Sequence, residues 1–141
     1  MFRRSLILAT VMAFAAGAAS AATVKYHATL NGASEAPPTK STGTGEANAT
    51  LDPASHELTY DITFSGFSSE VTAAHIHGPA PAGKNAGVVV PLGVMPKSPI
   101  HGTAKLTAEQ QKQLEDGLLY VNIHSKHHPR GAIRGQLTEV K

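Results

Sequence analysis

The fold class follows from one stretch of sequence, Glu57-Leu58-Thr59-Tyr60-Asp61-Ile62-Thr63-Phe64. Its even-numbered positions are apolar or aromatic and its odd-numbered positions are polar or charged, which is the period of a β-strand with one buried face. The segment from Thr23 to Leu30 alternates in the same way. Two such strands predict an antiparallel sheet that covers a core on one side and meets solvent on the other.

Weaker strand patterns cover most of the remaining chain. They lie at residues 45–51, 71–76, 88–90, 102–106, 118–124 and 131–139, with turn-forming residues roughly every 8 to 12 positions. One helix is predicted after Thr107, because Thr107 and Gln110 have the spacing of a capping box and Gly117 is a stop signal. The predicted fold class is therefore all-β, an antiparallel β-sandwich or barrel with one short helix.

The first 21 residues are predicted to be a secretory signal peptide. A basic start with Arg3 and Arg4 precedes an apolar run from Leu6 to Ala16 and an Ala-x-Ala cleavage site at 19–21. The apolar run is shorter than the ~20 residues that a membrane-spanning helix needs. We therefore expect residues 22–141 to form a single domain that is periplasmic or secreted, in a bacterium.

The charge balance argues against two classes of partner. Without Arg3 and Arg4, the 12 Lys and Arg residues fall to 10 and equal the 10 Asp and Glu residues. A chain without net positive charge lacks the electrostatic footprint of proteins that bind nucleic acid or anionic membranes. We predict neither partner, and the pattern predicts no oligomeric state.

The absence of cysteine limits any metal site to nitrogen and oxygen ligands. Among the 8 histidines, His75 and His77 flank Ile76 in an apolar segment with a strand pattern. Residues i and i+2 of a strand point to the same side, so both imidazoles are expected on the outer face while Ile76 enters the core. The pair is a candidate for metal binding, although two solvated surface histidines would give the same short pattern.

A third histidine has matching parity. In the predicted strand 118–124 the apolar residues at 121 and 123 share one face, and His124 lies on the other. If this strand lies near the first, its imidazole converges with the earlier pair on the outer surface, and three imidazoles suit copper or zinc. The alternative is that His124 only begins a polar, solvated loop with His127 and His128.

Arg134 in the last predicted strand has the parity of the same outer face. It would lie beside His124 if the last two strands pair. A guanidinium next to a metal can hold a small anion and stabilise charge on it. A surface arginine without such a role fits the same pattern.

Six motifs, in this order, resemble the CHRD domain. They are Glu35-Ala36-Pro37-Pro38, Thr42-Gly43-Thr44-Gly45, Ala73-Ala74-His75-Ile76-His77-Gly78-Pro79-Ala80, Asn85-Ala86-Gly87-Val88-Val89, Gly117-Leu118-Leu119-Tyr120-Val121-Asn122-Ile123-His124 and Gly131-Ala132-Ile133-Arg134-Gly135-Gln136-Leu137. The resemblance spans nearly all of residues 22–141. It implies export more firmly than an activity, because the domain is known from chordin and from exported bacterial proteins. Ala132 stands where the family's final motif commonly has Glu, so any role of that Glu is lost here.

A looser similarity connects the histidines with the Cu/Zn superoxide dismutases, which are Greek-key β-sandwiches. His75, His77 and His124 follow the order of the copper ligands in those enzymes, so the similarity implies one bound copper ion. Arg134 or Arg130 would then guide superoxide, a small anionic partner, to the metal. The bridging histidine and the paired cysteines of those enzymes have no counterpart in this sequence, which implies at most copper-only chemistry.

Four candidates for a fourth ligand stay open: His101, His127, His128 or water. Three hypotheses for the function follow. The chain is a copper-only superoxide dismutase, a copper-binding or copper-buffering protein of the periplasm without turnover, or a structural or adhesive β-module whose histidines hold no metal.

Overall fold

Two antiparallel sheets pack face to face in the computed structural model, which describes residues 11–13 and 22–141. The strands are β1 (Val24–Leu30), β2 (Thr44–Asp52), β3 (Glu57–Ser65), β4 (Val71–His77), β5 (Val88–Val94), β6 (Ile100–Lys105), β7 (Tyr120–Ser125), β8 (Ile133–Gln136) and β9 (Thr138–Glu139). Within the described part of the chain the one α-helix is α1 (Ala108–Glu115), and Gly32–Ser34 form a 3-10 turn. The predicted signal peptide lies outside the described residues, apart from residues 11–13.

The strand order explains how distant parts of the chain come together. One sheet has the order β6-β3-β2-β1-β9 and the other has the order β5-β4-β7-β8. Strands β3 and β6 pair although β4 and β5 of the other sheet separate them in sequence. Strands β4 and β7 pair although β5, β6 and α1 lie between them. Such long connections between paired strands are typical of Greek-key sandwiches. The prediction of an all-β antiparallel sandwich with one short helix is confirmed.

The alternating pattern of the sequence builds the core as expected. In β3 Leu58 and Ile62 have no exposed surface, and in β1 Tyr26, Ala28 and Leu30 are at most 2% exposed. The two sheets bury these residues against Ile76, Val121 and Ile123 of the second sheet. Hydrophobic burial between the sheets is therefore the main stabilising term, as it is for sandwiches in general.

The helix also begins where the sequence predicts. The Thr107 hydroxyl accepts from the Gln110 amide at 3.1 Å, and the Gln110 side chain accepts from the Thr107 amide at 2.9 Å. At the other end Gly117 has a positive φ of 74°, which suits glycine, and its amide donates to the Leu114 carbonyl. The helix buries Leu114 completely.

The last predicted strand, residues 131–139, is divided between the two sheets. Strand β8 pairs with β7, and after Leu137 the chain crosses over so that β9 pairs with β1. Leu137 is 1% exposed at the crossing and its amide donates to the Leu119 carbonyl. The sequence pattern cannot show that the chain changes sheet here, because the strands of both sheets turn apolar side chains toward the same core.

The outer face of the second sheet is not the open surface that the sequence predicts. Strand β7 is buried on both faces, except that His124 is half-buried. Segments 31–39, 79–87 and 126–131 lie over this face, as the contacts of Arg134, Asn122 and His124 described below show. No helix in residues 11–13 and 22–141 is long and apolar enough to cross a membrane.

Candidate metal centre

Three imidazoles converge on the covered face of the second sheet. His75 and His77 lie on β4 and His124 lies on the neighbouring β7, and one ring nitrogen from each lies within 4.8 Å of the others. His75 Nδ1 is 3.1 Å from His124 Nε2. Two nitrogens bound to one ion at about 2.0–2.1 Å, with a roughly right-angled to tetrahedral geometry, would be about 2.9–3.4 Å apart. The His75/His77/His124 group can therefore hold a metal ion.

Backbone carbonyls orient two of these rings. His77 Nδ1 donates to the Ala86 carbonyl at 3.0 Å, and His124 Nδ1 donates to the Pro129 carbonyl at 3.0 Å. A neutral imidazole has one ring proton, so each Nε2 carries a lone pair. Carbonyl groups that fix the tautomer in this way are the usual outer partners of metal-binding histidines.

The Nε2 atom of His77 is buried and has no hydrogen-bond partner. Such an atom is unusual in a folded protein, because a buried polar group without a partner costs free energy. Burial is also the main cause that lowers the pKa of His75 and of His77, and the neighbouring imidazoles lower both further. Both shifts favour the neutral imidazole, which is the form in which histidine binds a metal.

Arg134 is on the predicted face but not at the surface. It pairs with Asn122 in the β7–β8 register and is 1% exposed. Its Nη1 donates to the Lys84 carbonyl and its Nη2 to the Pro81 carbonyl, at 2.7 and 3.1 Å. The predicted face is correct, but the side chain is not at an exposed surface, because segment 79–87 folds over the guanidinium. Its role as an anion guide stays a prediction.

Arg130, the other arginine considered for guiding, is exposed. It lines a cleft of about 440 Å³ together with His127, His128 and Pro129. Pro129 also provides the carbonyl that orients His124, so the cleft borders the segment that contacts this histidine. The guiding role of Arg130 also stays a prediction.

The three histidines considered for a fourth ligand lie outside the cluster. Among the residues that the structure describes, the group of converging ligand atoms consists of His75, His77 and His124 alone. His101 lies on β6 of the other sheet, where its Nδ1 is 2.9 Å from Asp61. His127 Nδ1 is 3.4 Å from the Ser68 hydroxyl.

A buried acid next to this site was missed in the sequence. Glu35 is 7% exposed, and its carboxylate accepts a hydrogen bond from Asn122 of β7. Burial raises the pKa of Glu35 to about 7, although the Asn122 hydrogen bond and the charge of Arg134 oppose the shift. The only sequence feature that pointed to Glu35 was its place in the Glu-Ala-Pro-Pro motif. Its contact with Asn122 could not be predicted, because the two residues are 87 positions apart in the chain.

The fold and the site together define an all-β sandwich domain with a cluster of three histidines. The sequence model of the CHRD domain family matches residues 26–137, so the chain belongs to the CHRD domain family. CHRD domains are typically extracellular or secreted. The comparison with curated proteins and the comparison with solved structures each found no significant match.

Proposed function

We propose that this CHRD protein is exported and binds one copper ion through His75, His77 and His124, and that it acts as a copper-only superoxide dismutase. The observation that carries the proposal is the buried Nε2 of His77, which has no hydrogen-bond partner and belongs to a cluster of three imidazoles. A metal ion would satisfy this lone pair.

The donor set favours copper among the divalent ions of the first transition row. Three nitrogen ligands bind Cu²⁺ more tightly than the earlier ions and Zn²⁺. Copper supplies the ability to change between two oxidation states, which zinc lacks. The reaction converts two superoxide anions and two protons into one molecule of oxygen and one of hydrogen peroxide.

The protein's own residues contribute access and charge. The three histidines are half-buried and the His77 Nε2 atom is buried, so the site is shielded from bulk solvent. Arg130 is exposed on the cleft beside Pro129 and provides positive charge at the approach. Such charge raises the rate at which small anions reach a site, and the effect falls with ionic strength.

Metal binding is tested first. The exported protein, loaded with Cu²⁺ and dialysed, should retain about one copper per chain, with nitrogen splitting in its EPR spectrum. His75→Ala, His77→Ala and His124→Ala should each lose or weaken the signal, whereas His101→Ala, on the other sheet, should keep it. Absence of bound copper in the wild type would refute both the enzyme and the buffering hypotheses.

Turnover is tested separately by pulse radiolysis. A dismutase should consume superoxide catalytically, and the rate should fall with ionic strength and in Arg130→Met while copper stays bound. Stoichiometric copper without catalytic consumption would instead identify a copper-buffering protein.

A further inference from the structure

The guanidinium of Arg134 is bonded to the segment that orients a histidine of the metal cluster. Besides the Lys84 and Pro81 carbonyls, it donates to the Asn85 side-chain oxygen at 3.2 Å and to Gln136 at 2.9 Å. Three of these four acceptors belong to segment 79–87. A planar guanidinium can hold several acceptors in fixed directions, which an ammonium group cannot.

The next residue of this segment, Ala86, connects the arginine with the cluster. The Ala86 carbonyl accepts from His77 Nδ1. The Tyr120 hydroxyl holds the backbone of the same residue on both sides, because it accepts from the Ala86 amide at 3.0 Å and donates to the Ala86 carbonyl at 3.3 Å. A displacement of the Ala86 backbone would therefore remove the acceptor that selects the His77 tautomer.

Tyr120 connects the two groups a second time through its ring. The ring is stacked on His77, with the planes 7° from parallel and the centroids 5.2 Å apart. The Arg134 Cζ atom lies 3.5 Å from the centroid of the same ring. Strand β7 has β4 on one side and β8 on the other, so Tyr120 lies between His77 and Arg134. The Arg134 guanidinium therefore does not touch the His77 imidazole directly. It acts on it through the Tyr120 ring and through the hydrogen bonds of segment 79–87.

From these contacts we infer that Arg134 and Tyr120 are positioning residues for His77: they fix the Ala86 peptide and so keep the Nε2 lone pair of His77 directed at the metal site. This role deepens the proposed function and rests on it for its purpose, but the His77 tautomer can be measured without metal. It also differs from anion guiding, which needs only the positive charge of the arginine.

The test compares variants of the full chain by NMR and by copper titration. The ¹⁵N shifts of the His77 ring in the metal-free protein distinguish the Nδ1–H from the Nε2–H tautomer. Wild type should have the Nδ1–H form. Arg134→Lys keeps the positive charge but loses the planar group that donates to several acceptors at once, so it should give a mixture of His77 tautomers. Its Kd for Cu²⁺ should rise about 10- to 100-fold, as is usual when a hydrogen-bond partner of a metal ligand is lost. Tyr120→Phe keeps the stacked ring and should give a smaller change in the same direction.

Two control variants match these changes in chemistry. Arg130→Lys and Tyr60→Phe alter an arginine and a tyrosine that form no hydrogen bond with Ala86 in the described structure, and both should keep the wild-type tautomer and copper affinity. A folded Arg134→Lys protein with the wild-type tautomer and affinity would overturn the inference. If Arg134→Lys does not fold, an unchanged His77 tautomer in Tyr120→Phe overturns it. A wild type that binds no copper would refute the proposed function, and the tautomer comparison would still decide this inference.

Discussion

Glu35 is a single residue whose ionisation should control part of the pH dependence of stability. Its pKa is raised to about 7 in the folded protein, chiefly by burial, from an ordinary value of 4.5. Between these two values the folded state binds a proton that the unfolded state has lost. The stabilising contribution is therefore complete below about pH 4.5 and is lost as the pH rises through about 7.

We expect Glu35→Gln to remove this pH dependence. The amide keeps an oxygen that can accept from Asn122 but has no charge to bury, so the variant should gain on the order of 2 kcal/mol relative to wild type between pH 5 and pH 8. Urea unfolding across this range, with the exposed Glu57→Gln as control, measures the difference. A constant difference between Glu35→Gln and wild type at every pH would contradict the assignment.

Gly131 is required by the close packing of Glu35 against Asn122. Its φ is +132°, and a Cβ atom there would lie 2.7 Å from the Asn122 side-chain nitrogen and 2.7 Å from Glu35. We expect Gly131→Ala to lower the free energy of unfolding by at least about 2 kcal/mol, from backbone strain and from the displaced pair. Gly87→Ala is the matched control, because its Cβ would meet nothing within 4 Å. Equal stabilities of the two variants in urea unfolding would refute this explanation.

At this scale the sequence predicted the convergence of three histidines but not the groups that surround them. His75, His77 and His124 could be proposed because strand parity is local and because two strands with apolar partners must face the same core. The carbonyls of Ala86 and Pro129 could not be proposed, since every residue has a carbonyl and only the folded loops select these two. The burial of Arg134 was missed for the same reason.

Among the elements, the helix α1 depends most directly on a local motif. Thr107 and Gln110 satisfy each other's backbone amides at its first turn. Thr107→Ala should lower the free energy of unfolding by about 1 kcal/mol, because one amide at the helix start loses its acceptor. Chemical unfolding of this variant beside Thr103→Ala, an exposed strand position on β6, measures the loss. A loss in Thr103→Ala as large as that in Thr107→Ala would mean that the cap has no special role.

The strands show which element boundaries a pattern can predict. The bounds of β3 and β4 agree closely with the predicted segments, because each strand turns two or more apolar side chains toward the core. Strand β5 extends from Val88 to Val94, beyond the three valines that predict it, and includes Pro91 and Gly93. These two residues are tolerated because β5 is at the edge of its sheet, where one side of the strand needs no partner. Whether a strand lies at the edge of a sheet depends on distant parts of the chain, so the apolar pattern alone does not show how far β5 extends.

For the whole molecule, metal binding should appear as added stability. A ligand that binds only the folded state adds about 2.7 kcal/mol at a free concentration of 100 times its Kd. We expect Cu²⁺ to raise the Tm of the wild type and of His101→Ala, and to leave the Tm of a His75→Ala/His77→Ala/His124→Ala variant unchanged. Calorimetry with and without a chelator measures this shift. A metal-dependent rise in the triple variant would place the binding elsewhere.

The two strands that supply the imidazoles are the two inner strands of their sheet, with β5 and β8 at its edges. Each inner strand is held on both sides, so amide protons there should exchange with heavy water more slowly than those in segments 79–87 and 126–131. Under the proposed function, capture of the ion would therefore need little rearrangement of the main chain. The overlying segments do more than cover this scaffold, because their carbonyls at Ala86 and Pro129 set the direction of two of the three rings.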